Sequence, residues 1–226
     1  MGRVKGARNL DYEATRRSII DRIARSIFAT DRSRMSFREL AHAGEVSPST
    51  LRHYFGSRQA VLEAALLRMR DHGSPYMAEG ATADRGPAPQ ALRWFLRYLR
   101  EGWYRGVGRA HAAGLSEGLG DPALGPSYLR HLLEPTLRSA EGRIALHVAA
   151  GELAPCDVRA AALELLAPLV LLLLHQDSLG GCQVRPMDVD RFIDDHVDRF
   201  LVAHGAAGSV AAAPARAAAR RRGPGP

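Results

Sequence analysis

The fold is decided by residues 36–58, which read SFRELAHAGEVSPSTLRHYFGSR. This stretch predicts two short helices joined by a tight turn. Ser36 and Glu39 have the spacing of a capping box, in which the two residues satisfy each other's backbone N–H groups. Ser47 and Pro48 supply the second helix with an N-cap and with proline at its first position. The stretch is therefore predicted to form a helix-turn-helix.

The second of these helices has one apolar and one polar face. Leu51 and Phe55, four residues apart, are predicted to point into the protein core. The predicted exposed face carries hydrogen-bonding side chains, namely Ser49, Thr50, Arg52, His53 and Tyr54. A helix with a buried apolar back and a polar front is suited to enter the major groove of DNA.

Positive charge is concentrated at the two ends of the chain. The 226 residues, 46% of them hydrophobic, have a formal net charge of +7. Residues 1–70 hold 14 Lys and Arg against 7 Asp and Glu, residues 71–204 hold 13 against 17, and residues 205–226 hold 4 against none. A basic segment joined to a mildly acidic body is what a protein with one phosphate-facing module requires.

From about Tyr12 to Arg70 the chain resembles the DNA-binding domain of the TetR (tetracycline-repressor-like) family of bacterial regulators. The resemblance covers roughly a quarter of the sequence. Its most specific part is the order T-L-x-x-Y-F in residues 50–55, followed by a small residue, a cation and an apolar pair at Ser57, Arg58, Val61 and Leu62. Further matching residues are Ile20, Ile23, Ala24, Ile27, Phe28, Leu40, Ala41, Val46 and Ser47.

Two residues depart from the family pattern. Glu45 stands where the family usually has the turn glycine, and Gly44 lies one place earlier. A residue with a Cβ is therefore expected to adopt a left-handed conformation, at a cost of roughly 1 to 2 kcal/mol. Arg52 stands where the family often has tyrosine, which adds a possible bidentate reader of guanine O6 and N7.

The resemblance implies which residues contact DNA. The phosphate-contact candidates are Ser36, Ser47, His53, Tyr54 and Arg58, and the base-edge candidates are Pro48, Ser49, Thr50 and Arg52. Arg58 in the first turn of the fourth helix opposes the helix dipole, so an anion is expected beside it, and a DNA phosphate would be that anion. Phosphate contacts supply affinity and base contacts supply sequence choice.

An all-α fold is predicted, with an N-terminal three-helix helix-turn-helix domain followed by a larger helical regulatory and dimerisation domain. Residues 1–10 are predicted to be a flexible basic arm, residues 11–70 the DNA-binding domain, residues 71–204 the ligand-binding and dimerisation domain, and residues 205–226 a disordered low-complexity tail. The first helix is predicted over residues 12–30, and residues 73–89 are predicted to be a loop because they are rich in Gly and Pro.

The last two predicted helices, residues 157–176 and 188–204, have more apolar surface than one layer hides. The resemblance implies that they form the interface of a homodimer. It also implies a pocket for an unknown small-molecule effector. Trp94, Tyr98, Trp103, Tyr128, His131 and His175 are the candidates to line it, because aromatic bulk with a few polar groups suits a small ligand.

Other kinds of chemistry receive little support from the sequence. Residues 114–118 match G-x-S-x-G, but that motif requires a strand before Ser116 and a helix after it, whereas the pattern here is helical. The nine histidines form no ligand spacing typical of a metal site, so neither a metal nor a cofactor is predicted. The most apolar run, Leu165–Leu174, is about half of the roughly 20 residues that a membrane span needs. No signal-peptide pattern opens the chain, and the prediction is a cytoplasmic protein without a membrane partner.

The sequence therefore predicts a DNA-binding transcriptional regulator, in particular a ligand-responsive repressor that binds a palindromic DNA operator as a homodimer. Two alternatives stay open. A protein that coats nucleic acid without sequence preference would use the basic ends alone. A hydrolase would use Ser116 as its nucleophile, although the chain is predicted not to be an enzyme.

Overall fold

The computed structural model describes residues 7–29 and 35–206, a region built from α-helices without a β-strand. Residues 1–6 of the predicted arm and residues 207–226 of the predicted tail lie outside this described part. The helices are α1 (Ala7–Ala29), α2 (Phe37–Ala43), α3 (Pro48–Phe55), α4 (Arg58–Thr82), α5 (Ala88–Gly102), α6 (Gly108–Gly120), α7 (Leu124–Tyr128), α8 (Glu134–Ala149), α9 (Val158–Leu173), α10 (Gly181–Val184) and α11 (Val189–His204). The predicted all-α class is confirmed.

Helices α1 to α3 and the first turns of α4 enclose a small apolar core. Helix α1 begins at Ala7, so residues 7–10 of the predicted arm are helical. Its apolar stripe packs against the inward faces of the helix-turn-helix, because residues spaced three or four apart share one side of a helix. The buried members of this core include Ile19, Ile20, Ile23, Leu40, Ala41, Leu51, Phe55, Val61 and Ala65.

The turn between α2 and α3 is made by Gly44 and Glu45. A Cβ added at Gly44 would lie 3.1 Å from side-chain atoms of both Ile19 and Ile23, so glycine allows α1 to approach closely. Glu45 adopts a positive φ of 53°, which confirms the left-handed conformation predicted for it. A single turn glycine often allows both the close approach of another helix and a positive φ. Here Gly44 allows the approach of α1, and Glu45 has the positive φ.

Replacing Glu45 with glycine is expected to raise the free energy of unfolding by about 1 kcal/mol, because glycine adopts positive φ without the Cβ clash. Denaturant unfolding of the full-length protein measures the change. Glu45→Ala is the matched control: it removes the same 3.6 Å contact with Arg22 but keeps the Cβ. An equal gain in both variants would show that backbone strain is not the cause.

Helix α4 is longer than the sequence predicts. The predicted loop over residues 73–89 is wrong: α4 continues to Thr82 and includes Pro75, and α5 already begins at Ala88. The extra turns are held by tertiary contacts that local composition does not reveal. Ser139 Oγ donates to the Met77 carbonyl at 2.7 Å, and Gly142 packs against Ala81. Tertiary packing here overrides the weak helix propensity of Gly and Pro.

The body of the protein is a bundle in which α5, α8, α9 and α11 surround one large apolar core. Asp157, the first residue of the helix predicted over 157–176, caps α9 by accepting from the backbone N–H groups of Arg159 and Ala160. Asp188 caps α11 by accepting from Arg191 N. The two C-terminal helices therefore begin within a residue or two of where the sequence places them.

Helix α9 and the π-helical turn after it, Leu174–Ser178, form one apolar run. This run, Val158–Ser178, has 21 residues and contains an 18-residue window with a mean hydropathy of 1.8, so by length and composition it is able to span a membrane. The expectation that the apolar run is too short is therefore wrong. In the fold, however, seven side chains of α9 are buried and the helix packs against α5, α8 and α11. Its apolar composition is that of a central core helix.

Glycines in and around α6 make room for large rings. Gly106, with φ 115°, breaks the chain direction between α5 and α6. A Cβ at Gly108 would overlap the Trp103 indole, and a Cβ at Gly114 would overlap the Tyr128 ring.

Ser116 of the G-x-S-x-G match lies on the exposed side of this same helix, so the strand–turn–helix that a nucleophile elbow needs is not formed there.

The described chain ends by pairing back onto the α8–α9 connection. Ala154 N donates to the His204 carbonyl at 2.8 Å, and Ala206 N donates to the Glu152 carbonyl at 3.2 Å. Gly205 forms an isolated antiparallel bridge with Leu153. Residues 205 and 206 of the predicted tail are therefore bonded to the body.

Candidate DNA-binding surface and its connection to the body

The start of α3 has the predicted capping geometry. Ser36 and Glu39 form the capping box of α2, and Ser47 caps α3 by accepting from Thr50 N at 3.0 Å. The Ser47 hydroxyl also lies 2.8 Å from the hydroxyls of Ser49 and Thr50. These bonds fix the first turn of α3, which is the part of a recognition helix that meets base edges.

The polar front of α3 is exposed at three of its five predicted positions, whereas Thr50 and Tyr54 are half-buried. Leu51 is fully buried and Phe55 is 8% exposed, so both hold the helix from behind. Pro48, Ser49, Arg52 and His53 are exposed, and Thr50 is half-buried. The Arg52 guanidinium lies over the Phe37 ring at 5.3 Å, which directs the side chain along the front of the helix pair.

Tyr12 is a part of this surface that the sequence reasoning missed. Its ring lies 4.7 Å from the ring of Tyr54 and 5.9 Å from that of His53. Tyr54 is half-buried and packs on the apolar core, so its ring is partly committed to holding α1 against α3. The spacing in sequence gave no signal for this contact, because residues 12 and 54 belong to different helices.

Arg58 connects the DNA-binding helices to the body. Its Nη1 lies 3.0 Å from Glu117 Oε2, its Nη2 bonds the other carboxylate oxygen, and its Nε donates to the Met35 carbonyl at 2.7 Å. Glu117 belongs to α6 and is 9% exposed. The anion beside Arg58 in this structure is thus a protein carboxylate, and a phosphate contact would require Arg58 to leave it.

Arg143 holds the opposite end of α4. This fully buried residue of α8 donates from Nε and Nη2 to the Gly80 carbonyl, at 3.0 and 2.7 Å, and from Nη1 to the Ala83 carbonyl at 2.6 Å. Carbonyls at a helix C-terminus carry partial negative charge and lack helical donors, so a guanidinium satisfies them. Burial lowers the pKa of Arg143 from its ordinary value.

The six predicted pocket residues do not line a single cavity. Trp94 and Tyr98 stack at 4.9 Å near the end of α4. Trp103 lines a groove between α6 and the end of α9, and His131 lines a separate cavity. Tyr98, Trp94, Tyr128 and His175 line neither of these two cavities.

Trp103 and Tyr128 instead belong to a buried polar cluster around His111. The Trp103 ring stacks on His111, whose Nδ1 lies 2.9 Å from the Tyr128 hydroxyl, and Trp103 Nε1 donates to Asp177 at 2.9 Å. Burial lowers the pKa of His111 to about 4 and raises that of Tyr128 to about 12. Both are neutral at physiological pH, which is consistent with a packing role.

The cavity that His131 lines lies between α4 and α8, and we call it the α4–α8 cavity. Its volume is about 580 Å³, and its apolar walls include Met69, Met77 and Leu132. His131 is 7% exposed, and its Nδ1 has no hydrogen-bond partner among the residues that the structure describes. Burial and the nearby cations Arg70 and Arg130 lower the pKa of His131. A mostly apolar cavity that also offers an unsatisfied imidazole nitrogen and the charged side chains of Arg70, Asp71 and Arg138 is suited to a small ligand.

Comparison with known proteins identifies the C-terminal half of the chain. Residues 95–206 match the family model of the AefR-like transcriptional repressor C-terminal domain, a TetR-type domain. Among solved structures, a TetR-family regulator from Mesorhizobium loti aligns with a TM-score of 0.67 at 16% identity, over 86% of this chain and 98% of its own. GusR from Salmonella enterica aligns with a TM-score of 0.63 at 21% identity, over 84% and 96% of the two chains.

The chain belongs to the TetR family.

As a TetR-family protein, the chain is a DNA-binding transcriptional regulator. The fold is also shared with the regulator FadR from Bacillus subtilis, solved in complex with stearoyl-CoA, at 16% identity, a TM-score of 0.59 and coverage of 81% and 96%. No curated protein matches the sequence. The TetR resemblance seen in residues 12–70 and the family match in residues 95–206 thus agree, although they rest on different parts of the chain.

Proposed function

We propose that this TetR-family chain is a cytoplasmic, ligand-responsive repressor that binds a palindromic operator as a homodimer. The observation that carries the proposal is the form of α3, which is capped at Ser47, held from behind by Leu51 and Phe55, and open to solvent along its polar front. Two such helices related by twofold symmetry would contact half-sites about 34 Å apart, or a multiple of that distance.

The exposed residues of α3 divide by their position. Pro48, Ser49, Thr50 and Arg52 are proposed to face base edges, and Ser36, Ser47, His53 and Tyr54 to face phosphates. Arg58 differs from these residues because its guanidinium is already bonded to Glu117 and Met35. We therefore assign Arg58 first to the connection between α4 and α6, and a phosphate contact would be made only after that connection opens.

The proposed dimer interface uses α9 and α11. An exposed apolar stripe runs along α9 through Leu163, Ala167 and Leu171, each four residues after the last. Leu163 is 45% exposed, Leu171 is 68% exposed, and Val202 of α11 is 73% exposed. Apolar residues aligned on one helix face favour burial against a second protein surface. A second copy of the chain would supply that surface and present the second α3.

The proposed effector site is the α4–α8 cavity. It lies along the side of α4, whose first turns belong to the DNA-binding core and whose last turns are held by Arg143. A ligand releases DNA only if it binds one of two conformations more tightly. An occupant that favours a different position of α4 would have that differential affinity, since α4 joins the cavity to the DNA-binding helices.

Selection of bound duplexes from a random pool with the purified full-length protein tests the proposal. We expect an inverted repeat whose half-sites have the spacing given above. Recovery of random sequences, with affinity that depends on salt alone, would favour a protein that coats nucleic acid. Light scattering of the same preparation should show a dimer, and a monomer would contradict the proposed symmetry.

Arg52→Ala is expected to relax sequence preference at one base pair of each half-site and to cost about 1 to 3 kcal/mol on the selected duplex. His53→Ala is the matched control, because this neighbour is proposed to contact phosphate and should weaken selected and random duplexes alike. Titration of both variants with selected and random duplexes checks the division. If Arg52→Ala weakens the two duplexes equally, the assignment of Arg52 to a base edge is wrong.

A further inference from the structure

A basic cleft separates α1 from the second half of α4, and we call it the α1–α4 cleft. Its volume is about 690 Å³, and it is closed on one side by the turn that links α5 to α6. Its charged residues come from three elements: Arg17, Asp21 and Arg25 from α1, Arg68 and His72 from α4, and Arg105 from the linking turn. The cleft is distinct from the front of α3, which lies elsewhere on the DNA-binding domain.

The cleft contains four arginines and one carboxylate, that of Asp21, so it carries excess positive charge. Asp21 pairs with Arg68 through both oxygens, and this pairing lowers the pKa of Asp21. Arg17, Arg25 and Arg105 are exposed and have no ion pair within residues 7–29 and 35–206. Arg25 also acts through space on the Asp21 carboxylate. Three guanidinium groups that form no ion pair of their own among the described residues favour a negatively charged occupant of this concave site, because planar guanidinium groups bind carboxylate and phosphate through paired hydrogen bonds.

The α1–α4 cleft meets the α4–α8 cavity along a short boundary. Met69, Gly73 and Val107 line both of them. Gly73 has no side chain to close this boundary, and a Cβ added there would meet no atom within 4 Å. The cationic cleft and the apolar cavity are thus two ends of one site that passes over Gly73.

We propose that this site binds an amphipathic organic anion. Its carboxylate or phosphate group would bind among Arg17, Arg25 and Arg105, and its apolar tail would pass over Gly73 into the α4–α8 cavity. His131, whose Nδ1 is unsatisfied among the described residues, lines the α4–α8 cavity and suits a polar group on the tail. The role of this molecule as the effector rests on the proposed function, whereas its binding does not.

The head group would join elements that belong to different parts of the protein. Arg17 and Arg25 lie on α1, which packs in the DNA-binding core, and Arg105 lies in the kinked turn next to Gly106. A single anion held by both sides would fix their separation. Occupancy of the cleft would therefore change the position of the DNA-binding helices relative to the body, in addition to any effect of the tail on α4.

Four probes separate the contributions of head and tail in calorimetric titrations of the full-length protein. They are decanoate, decyl phosphate, 1-decanol and inorganic phosphate. At least one of the two amphipathic anions should bind about tenfold or more tightly than both 1-decanol and inorganic phosphate. The comparison of decanoate with decyl phosphate tells which head group is preferred. Equal binding of 1-decanol would overturn the role of the arginines, and equal binding of inorganic phosphate would overturn the role of the tail.

Two variants locate the bound probe. Arg105→Ala should weaken the preferred amphipathic anion about tenfold or more, because a charge-assisted hydrogen bond is lost. Its matched control is Arg185→Ala, an exposed arginine outside both cavities. Gly73→Leu should weaken the same probe by filling the passage, and Gly102→Leu is its control, since an added Cβ at Gly102 also meets no atom within 4 Å. Unchanged affinity in both test variants would overturn the proposed location.

Affinity for the selected duplex is measured separately from affinity for the anion. Arg105→Ala and Gly73→Leu should bind the selected duplex like the unaltered protein when no probe is added, because neither residue lies on α3. Anion at a concentration that fills the site of the unaltered protein but not the weakened sites of the variants should change the duplex affinity of the unaltered protein and have a smaller effect on both variants. Binding of the anion without any change in duplex affinity would reject the effector role. Failure to select an inverted repeat would reject the proposed function and leave the anion site standing.

Discussion

Replacing Leu163 and Leu171 together with glutamate is expected to dissociate the proposed dimer and to lower affinity for the inverted-repeat duplex by about 100-fold to 10,000-fold. The two side chains are 45% and 68% exposed in the single chain, so the charges should leave its fold intact. In the dimer the same charges would be buried against their copies. The second α3 then binds as a separate molecule, and the advantage of linked half-sites is lost.

Light scattering and duplex titration measure the two parts of this result. Affinity for a single half-site should stay within about threefold of the unaltered protein, since α3 itself is unchanged. Leu119→Glu is the matched control, because this residue of α6 is 86% exposed and lies outside the α9 stripe. A doubly substituted protein that remains dimeric would place the interface elsewhere.

Breaking the bond between Arg58 and Glu117 is expected to have the second large effect. Removal of one partner from a largely buried charge pair costs about 3 to 5 kcal/mol, because the other charge is left without compensation. Arg58→Met and Glu117→Gln should therefore each lower the free energy of unfolding. Replacing both residues with methionine should recover much of the loss, since two apolar groups leave no uncompensated charge.

DNA binding distinguishes the two roles considered for Arg58. If Arg58 acts as the connection between α4 and α6, Arg58→Met and Glu117→Gln should change duplex affinity in the same direction and by a similar factor. If Arg58 contacts a phosphate, Glu117→Gln should preserve or raise affinity because it frees the guanidinium. Denaturant unfolding and titration with the selected duplex are carried out on the single and double variants. Together they form a double-mutant cycle, which measures the coupling energy between residues 58 and 117.

The helix-turn-helix could be predicted from sequence because its determinants are local. The capping box at Ser36 and Glu39, the cap at Ser47 and the left-handed Glu45 all depend on residues within four positions of one another. Such short-range rules act before tertiary contacts form. The starts of α9 and α11 were predicted to within a residue for the same reason.

The extent of α4 and the positions of the cavities could not be predicted in this way. The second half of α4 depends on Arg143 and Ser139, which are about 60 residues away in sequence. The aromatic residues Trp94, Trp103 and Tyr128 were expected in one pocket because of their composition, yet two of them pack around His111. Long-range packing determines which helix each ring contacts. Sequence periodicity does not predict these contacts.

Gly108 and Gly114 are visible in the sequence, but the sequence alone does not tell whether they weaken a helix or make room for a ring. In the sequence, the glycines between residues 106 and 120 indicate only a weak helix, since glycine lowers helix propensity. In the structure, residues 108–120 are helical, and the Trp103 and Tyr128 rings occupy the space that side chains at positions 108 and 114 would fill. The same residues that weaken the helix locally are required by the rings packed against it.

Arg143 fixes the C-terminal end of α4, so any tilt of this helix would displace its N-terminal end the most. A motion of this 25-residue helix that keeps its last carbonyls bonded to the guanidinium would be a swing about that end. A helix of this length is about 37 Å long, so a swing of about 10° displaces its first turn by about 6 Å. That arc is nearly two base-pair steps of B-DNA, so under the proposed function a small tilt of α4 would be enough to move α3 out of register with its half-site.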